Sequence, residues 1–218
     1  MTDPATVFIV DDDAMFARGL ARLVNAAGWE VKVFASAADF LENVKDADAG
    51  CVLLDVRMPV MKGPEVHRAM IDRRIGLPVI YLTGHGDVPT SVDAMKRGAV
   101  DFLEKPVTME LLLGTIRQAL ARDAERRQRD AEREAMQARV ELLTRREREV
   151  MQHVIAGRLN KQIAADLGIS LKTVKAHRAK VMQKMDARSV PELVTLCRVA
   201  GIDAGEPSER RNPTVFRV

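Results

Sequence analysis

The chain has 218 residues, enough for two domains with one large domain as the alternative, and its composition of 47% hydrophobic and 30% charged residues excludes wholesale disorder and a fibrous repeat. Residues 1–122 hold 14 Lys or Arg against 17 Asp or Glu, a net charge of −3, whereas residues 141–218 hold 15 against 9, a net charge of +6. The basic part is expected to meet a polyanion, and chance surface charge is the alternative.

The first half of the sequence alternates between short apolar runs and segments with helical spacing. The runs are rich in β-branched residues and predict strands at 7–10, 31–34, 51–55, 79–83 and 101–105. The segments between them predict helices at 14–27, 37–44, 64–74 and 89–97, with another helix from Thr108 onward. This alternation favours an α/β domain over residues 1–120, with a doubly wound parallel sheet of five strands.

A long helix is expected to follow this domain. Residues 117–140 are dominated by Ala, Arg, Gln and Glu, which favour helix, and opposite charges lie four residues apart, as at Glu125 and Arg129. We predict a helical linker over 121–141. Because apolar residues in it are few and weakly spaced, a solvated helix is favoured over the alternative of a coiled coil.

The remainder of the chain predicts a small all-α domain. Apolar residues return at helical spacing from Leu143 to Leu196, and breaks fall at Gly157, Gly168 and 186–187. Four short helices are expected within residues 142–203. Residues 204–218 combine Pro, Ser and charged residues without periodicity and predict a disordered tail.

The spacing of the cysteines and the length of the apolar segments predict where in the cell the protein is found. Cys51 and Cys197 have no close spacing, so they predict neither a disulfide framework nor a zinc site. The N-terminus lacks the pattern of a signal peptide, and nowhere do about 18 consecutive apolar residues occur. We expect reduced thiols in a cytoplasmic protein that does not enter a membrane.

Charged and polar residues gather at the carboxyl ends of the predicted strands. They are Asp11, Asp12 and Asp13 after the first strand, Asp55 after the third, Thr83 after the fourth and Lys105 after the fifth. Each alone has a structural explanation, such as a helix N-cap, but in an open parallel sheet these ends share one rim, where ligands bind. Asp12 and Asp55 would repel each other without a hard cation such as Mg²⁺. The set predicts a phosphoryl acceptor site, in which Asp55 attacks while Mg²⁺ and Lys105 stabilise the transferring group.

Residues 5–120 resemble the receiver domain of two-component response regulators. The motifs "VDDD", "LLDVRMPVMKG", "YLTG" and "DFLEKP" carry the resemblance, and residues 77–106 are especially similar to the FixJ type. The resemblance implies a flavodoxin-like fold and phosphorylation of Asp55. It also implies a Mg²⁺ site formed by Asp12, Asp55 and the backbone carbonyl of Arg57, with Asp11 assisting through water.

The same resemblance implies how a receiver signals. It assigns a switch to Thr83, Phe102 and Lys105, and a cis peptide bond before Pro106. The expected dimer face combines the helix at 89–97 with the fifth strand. Its residues are Arg97, Asp101 and Phe102.

In the all-α part, one predicted helix is basic. From Ser170 to Met185 there are six residues that are or can become cationic, and no acid: Lys172, Lys175, His177, Arg178, Lys180 and Lys184. This pattern is typical of a helix that lies in the major groove of DNA, and a solvated charged helix is the alternative. Aromatic residues are scarce, which disfavours stacking on single-stranded nucleic acid.

Residues 143–200 resemble the LuxR/NarL-type helix-turn-helix domain. The motifs are "LTRREREVM", "LNKQIAADLGIS" and "KTVKAHRAKVMQKM", with Gln162 where many relatives carry Glu. The resemblance implies binding to duplex DNA as a dimer on a two-fold-related site, with a subunit contact through residues 189–200. The candidate DNA-contact residues are Lys161, Lys172, Thr173, Lys175, Ala176, His177, Ala179 and Lys180.

Together these patterns predict a FixJ-like response regulator that is not an enzyme. A histidine kinase is expected to phosphorylate Asp55, and dimerisation then promotes DNA binding and gene activation, with RNA polymerase as a candidate partner. Two alternatives remain open. A Mg²⁺-dependent phosphohydrolase would need a second acid near Asp55, where Arg57 stands instead. A constitutive DNA-binding protein with a vestigial receiver is disfavoured, because none of the residues that the site requires is missing.

Overall fold

The computed structural model describes residues 5–84 and 98–202. The chain divides into two compact units, Met1–Arg127 and Gln128–Val218, and the division falls inside the predicted linker. The predicted helix at 89–97, with Arg97 of the expected dimer face, and the tail at 204–218 lie outside the described residues. Among the residues that are described, no helix is both long and apolar enough to cross a membrane.

The first unit is built on a parallel sheet of five strands in the order β2-β1-β3-β4-β5. The strands are β1 (Thr6–Val10), β2 (Glu30–Phe34), β3 (Gly50–Asp55), β4 (Val79–Thr83) and β5 (Asp101–Glu104). All five predicted strands are confirmed. Val10 pairs with Leu54, so Asp11 and Asp55 leave the sheet at the same level.

Helices cover both faces of this sheet and create two separate cores. They are α1 (Ala14–Ala26), α2 (Ala37–Asn43), α3 (Gly63–Asp72) and α4 (Met109–Glu141). On one face α1 and the start of α4 pack on the sheet through Leu20 and Ile116. On the other face α2 and α3 pack through Phe40 and Val66. The doubly wound fold is therefore confirmed.

Helix α4 is continuous through the predicted linker but is not solvated along its whole length. Asp123 is only 2% exposed. Its carboxylate accepts hydrogen bonds from the backbone amide of Gly50 at 3.0 Å and from Arg126 at 2.9 Å, and Arg127 donates to the carbonyl of Ala47 at 3.0 Å. The solvated helix expected here is thus anchored at Asp123 to the amino end of β3.

The second unit contains the end of α4 and, among its described residues, four short helices. They are α5 (Arg145–Ile155), α6 (Asn160–Leu167), α7 (Leu171–Met185) and α8 (Val190–Val199). The four predicted helices are confirmed. Gly168, with φ of +65°, ends α6 in the left-handed region and allows the tight turn into α7. Both Cys51 and Cys197 are buried free thiols, in the first and second unit respectively.

Candidate phosphoacceptor site and nucleic-acid interface

Three of the predicted rim residues meet at the carboxyl end of the sheet. The Lys105 ammonium donates hydrogen bonds to Asp11 Oδ2 at 2.6 Å and to Asp55 Oδ1 at 2.7 Å. The other oxygens accept from the backbone, Asp55 Oδ2 from the amide of Arg57 at 2.7 Å and Asp11 Oδ1 from the amide of Asp13 at 2.9 Å. Each carboxylate is thereby held by one ammonium and one amide.

The charges at this rim are largely removed from water. Asp11 is 1% exposed and Asp55 is 6% exposed. Burial raises the pKa of Asp11, although hydrogen bonds from Lys105 and from the amide of Asp13 oppose the rise. Burial lowers the pKa of Lys105, but the hydrogen bonds and charges of the two carboxylates outweigh that effect and leave the pKa above its usual value. The ammonium therefore stays charged beside Asp55.

The loop after β3 fixes the backbone of Asp55. Gly63, at the start of α3, lies so close to Asp55 that an added Cβ would overlap the Asp55 carbonyl oxygen. The Gly63 amide donates to the carbonyl of Val56 at 3.1 Å. The loop between Asp55 and Gly63 contains a tight γ-turn centred on Val60, which has a φ of +68°. The turn is closed by a hydrogen bond of 2.7 Å from the Met61 amide to the Pro59 carbonyl.

The predicted switch residues lie on β4 and β5. Thr83 is 1% exposed and ends β4, and its carbonyl accepts a hydrogen bond from the amide of Lys105 at 2.7 Å. Phe102 is half-buried, with its ring centroid 6.1 Å from that of buried Tyr81. The Tyr81 hydroxyl in turn lies 3.0 Å from Nδ1 of His67 on α3. The bond before Pro106 is cis, as the resemblance implied.

The donor set at the rim suits Mg²⁺. Among the described residues there is no group of three or more His, Cys, Asp or Glu side chains that could hold a metal ion. The predicted site needs only two direct carboxylates, Asp12 and Asp55, with the Arg57 carbonyl and an indirect role for Asp11. With Lys105 charged, the three acids leave a net charge of −2, and hard oxygen donors of that charge fit a divalent cation. Asp12 and Arg57 are both exposed.

Two rim residues have roles that differ from metal binding. Asp13 caps α1, because its Oδ1 accepts from the amides of Met15 at 2.9 Å and Phe16 at 3.1 Å, and these bonds lower its pKa. Phe16 was not predicted from the sequence. Its ring centroid lies 4.0 Å from the Lys105 nitrogen. The position of Asp13 as the cap of α1 could have indicated the contact between Phe16 and Lys105, since it places the first turn of α1 at the rim.

In the second unit, α7 separates an apolar face from a basic face. Val174, Val181 and Met185 are buried in the core. The predicted contact residues on the other side are exposed: Lys172, Lys175, Ala176, Ala179 and Lys180. Lys161, in the first turn of α6, is also exposed. The five α7 residues recur at helical spacing on one side of the helix, and cationic and small side chains are the types that enter a major groove.

Other residues of the basic helix serve the fold of the second unit. Lys184 donates to Glu147 at 2.6 Å and to the Leu142 carbonyl at 3.0 Å, and Arg178 donates to the Asn160 side chain at 2.8 Å. Glu147 is 2% exposed, and the bonds from Lys184 and from the Thr144 amide lower its pKa to about 2. Neither role of Glu147 was predicted from the sequence, although the "TRRE" pattern at 144–147 could have indicated the helix cap.

Two other predicted DNA contacts, Thr173 and His177, are only partly exposed. The Thr173 hydroxyl lies 2.8 Å from that of Ser170, the residue that caps α7. His177 is half-buried, and its Nδ1 atom is buried without a hydrogen bond to any described residue. An imidazole packed in this way agrees with a structural role.

The sequence matches two families in succession. Residues 7–117 match the "Response regulator receiver domain" family, and residues 141–197 match the family described as "Bacterial regulatory proteins, luxR family". Together these matches span the sheet with its rim residues and the basic helix α7.

Similarity to known proteins extends over nearly the whole chain. The transcriptional regulatory protein FixJ of Azorhizobium caulinodans is 41% identical, over 98% of this chain and 100% of that protein. The response regulator protein TodT of Pseudomonas putida is 43% identical, over 89% of this chain and 86% of that protein. The solved structure of the response regulator StyR is 44% identical with a TM-score of 0.80, and covers 89% of this chain and 98% of that one.

Proposed function

The chain belongs to the two-component response regulators that combine a receiver domain with a LuxR-type DNA-binding domain, and from that premise we propose that Asp55 is its phosphoacceptor. This family consists of transcription regulators rather than enzymes, which argues against the phosphohydrolase alternative. The observation that carries the proposal is the Lys105 ammonium, hydrogen-bonded to both Asp11 and Asp55 at the rim.

In the proposed reaction, an Asp55 carboxylate oxygen attacks the phosphorus of a phosphohistidine on the cognate kinase. An O–P bond forms as the P–N bond breaks, and the imidazole leaves with the electron pair. The Lys105 ammonium, already beside Asp55, offsets the charge that gathers on the phosphoryl oxygens. Mg²⁺, when held by Asp12, Asp55 and the Arg57 carbonyl with Asp11 acting through water, supplies further charge neutralisation.

The phosphoryl group is proposed to act on the ends of β4 and β5. Thr83 is buried beside the rim and joined to Lys105 through the backbone, so a new anion at Asp55 acts on both residues. Phe102, half-buried against Tyr81, is proposed to change its packing in response. Residues Arg97, Asp101 and Phe102 would then contribute to a dimer face.

The second unit is proposed to bind duplex DNA through the basic face of α7. A dimer presents two such faces, and linking them raises the effective concentration of the second face once the first is bound. Residues 189–200, which include α8, are proposed to contact the partner on a two-fold-related site. Gene activation, with RNA polymerase as a partner, and a cytoplasmic location complete the proposal.

Sedimentation velocity tests this function when the protein is measured with and without Mg²⁺ and beryllofluoride, which mimics a phosphoryl group. We expect the full chain to shift from monomer to dimer and Asp55→Asn to remain monomeric, because the mimic needs the Asp55 carboxylate. A shift of equal size in Asp55→Asn would refute Asp55 as the acceptor. An unchanged sedimentation coefficient in both proteins would refute switching by assembly and favour the vestigial receiver.

A further inference from the structure

Lys105 makes one contact that the proposed phosphoryl transfer does not use. Its ammonium nitrogen lies 4.0 Å from the centroid of the Phe16 ring, in addition to its hydrogen bonds to Asp11 and Asp55. The ring and the two carboxylates therefore surround the same cation, and only 18% of the Lys105 side chain remains exposed.

The local fold explains why the ring is in this place. Asp13 caps α1 by accepting from the amide of Phe16, so the orientation of the first turn is fixed at the rim. Phe16 also packs against the core that α1 shares with the sheet. The ring is therefore held by the helix and the core, independently of Lys105.

A ring in this position can hold a flexible lysine side chain in one place. The lysine side chain is a flexible four-carbon stem that ends in a point charge with three donors. Two of its partners here are carboxylates, and the negative face of the aromatic ring attracts the same charge. A held ring also excludes water from that side of the ammonium, which strengthens its attraction to Asp55.

We propose that Phe16 is a positioning residue for phosphoryl transfer: the face of its ring keeps the Lys105 ammonium against Asp55, so that the cation is in place when the phosphoryl group arrives. This inference rests on the proposed role of Asp55. The contribution is made through Lys105, and no contact of Phe16 with the phosphoryl group is required.

Phosphorylation of the full chain by acetyl phosphate with Mg²⁺, followed by intact mass spectrometry, measures the effect. We expect Phe16→Leu, which keeps an apolar side chain but lacks a π face, to lower the maximal rate about three- to ten-fold, the range expected for one partly desolvated cation–π contact. The acetyl phosphate concentration at half-maximal rate should not change. Phe16→Tyr, which keeps the π face, should restore the rate, and Phe40→Leu, in the core on the other sheet face, should leave it unchanged.

A direct measurement of position accompanies the rates. Protons above an aromatic ring resonate upfield, so the Lys105 Hε signals should move downfield in Phe16→Leu and stay in place in Phe16→Tyr. If Phe16→Leu does not fold, Phe16→Met makes the same comparison.

The outcomes separate the two proposals. Persistent phosphorylation of Asp55→Asn overturns Asp55 as the acceptor. Phosphorylation that depends on Asp55 but proceeds equally fast in Phe16→Leu overturns the role of Phe16 alone. Equal slowing by Phe16→Tyr and Phe16→Leu also overturns it, because the effect would then come from shape and not from the π face.

Discussion

The rim of the first unit and the basic helix of the second use charge in opposite ways. At the rim, Asp11 and Asp55 are nearly buried and Lys105 bridges them with bonds of 2.6 and 2.7 Å. On α7, Lys172 and Lys175 are exposed to solvent. Where little solvent is present, the attraction between two charged groups is strong and depends steeply on the distance between them. An exposed charge instead adds to the electrostatic potential of the whole surface, which dissolved salt weakens. The two surfaces should therefore respond differently to the loss of one lysine.

The largest effect is expected from Lys105→Ala. Removing the ammonium leaves two nearly buried carboxylates without their shared cation and removes the charge that offsets the developing anion. We expect phosphorylation by acetyl phosphate with Mg²⁺ to slow about 10²-fold or more, measured by intact mass spectrometry. Lys32→Ala is the matched control, because Lys32 also lies over a ring, that of Phe8 at 5.8 Å, but belongs to β2 away from the rim. Equal slowing of both variants would contradict the role of Lys105.

Glu147 extends the comparison of buried and exposed charges to the second unit, because it is a buried charge that supports the fold of that unit. Its carboxylate caps α5 and accepts from Lys184 at 2.6 Å. Glu147→Ala removes both bonds and should lower the free energy of unfolding of this unit by about 2–3 kcal/mol, as judged from the loss of one partner in a buried ion pair. Helix melting followed by circular dichroism measures it, with exposed Glu141→Ala as the control.

The same pair predicts a pH dependence. The pKa of Glu147 is lowered from 4.5 to about 2, so the folded state binds this proton less readily than the unfolded state does. The stabilisation is therefore complete above about pH 5 and is lost as the pH falls from there toward 2. When the free energy of unfolding of the second unit is measured by urea denaturation at a series of pH values, it should fall less steeply toward low pH in Glu147→Gln than in the parent protein. An equally steep fall in Glu147→Gln would contradict the proposal that protonation of Glu147 causes the loss of stability.

The sequence was sufficient to predict features that depend on local patterns. Strand positions followed from β-branched runs, and the meeting of Asp11, Asp55 and Lys105 followed from the rule that parallel strands end at one rim. Contacts that depend on how distant segments pack were not predictable in this way. The Lys184–Glu147 pair joins residues 37 positions apart, and Asp123 reaches Gly50 across 73 positions. Periodicity gave no signal for either contact.

The smallest effect is expected on the exposed face. Lys172→Ala should weaken binding to specific and random duplex DNA alike and reduce the slope of log K against log salt concentration by about 1, since one phosphate contact releases roughly one counterion. Lys175→Ala should instead cost about 1–3 kcal/mol on a selected site and less on random DNA if it reaches a base edge. Fluorescence anisotropy across a salt series, with beryllofluoride-treated protein, separates the two.

The control for both variants is Lys45→Ala, which removes an exposed lysine from the first unit and should leave affinity and slope unchanged. Neither α7 variant should alter the rate of phosphorylation, because Asp11, Asp55 and Lys105 all belong to the first unit. A change of salt slope for Lys45→Ala would mean that net charge alone governs binding. An unchanged slope for Lys172→Ala would remove this lysine from the interface and direct the search to Lys161 and Lys180 as the phosphate contacts.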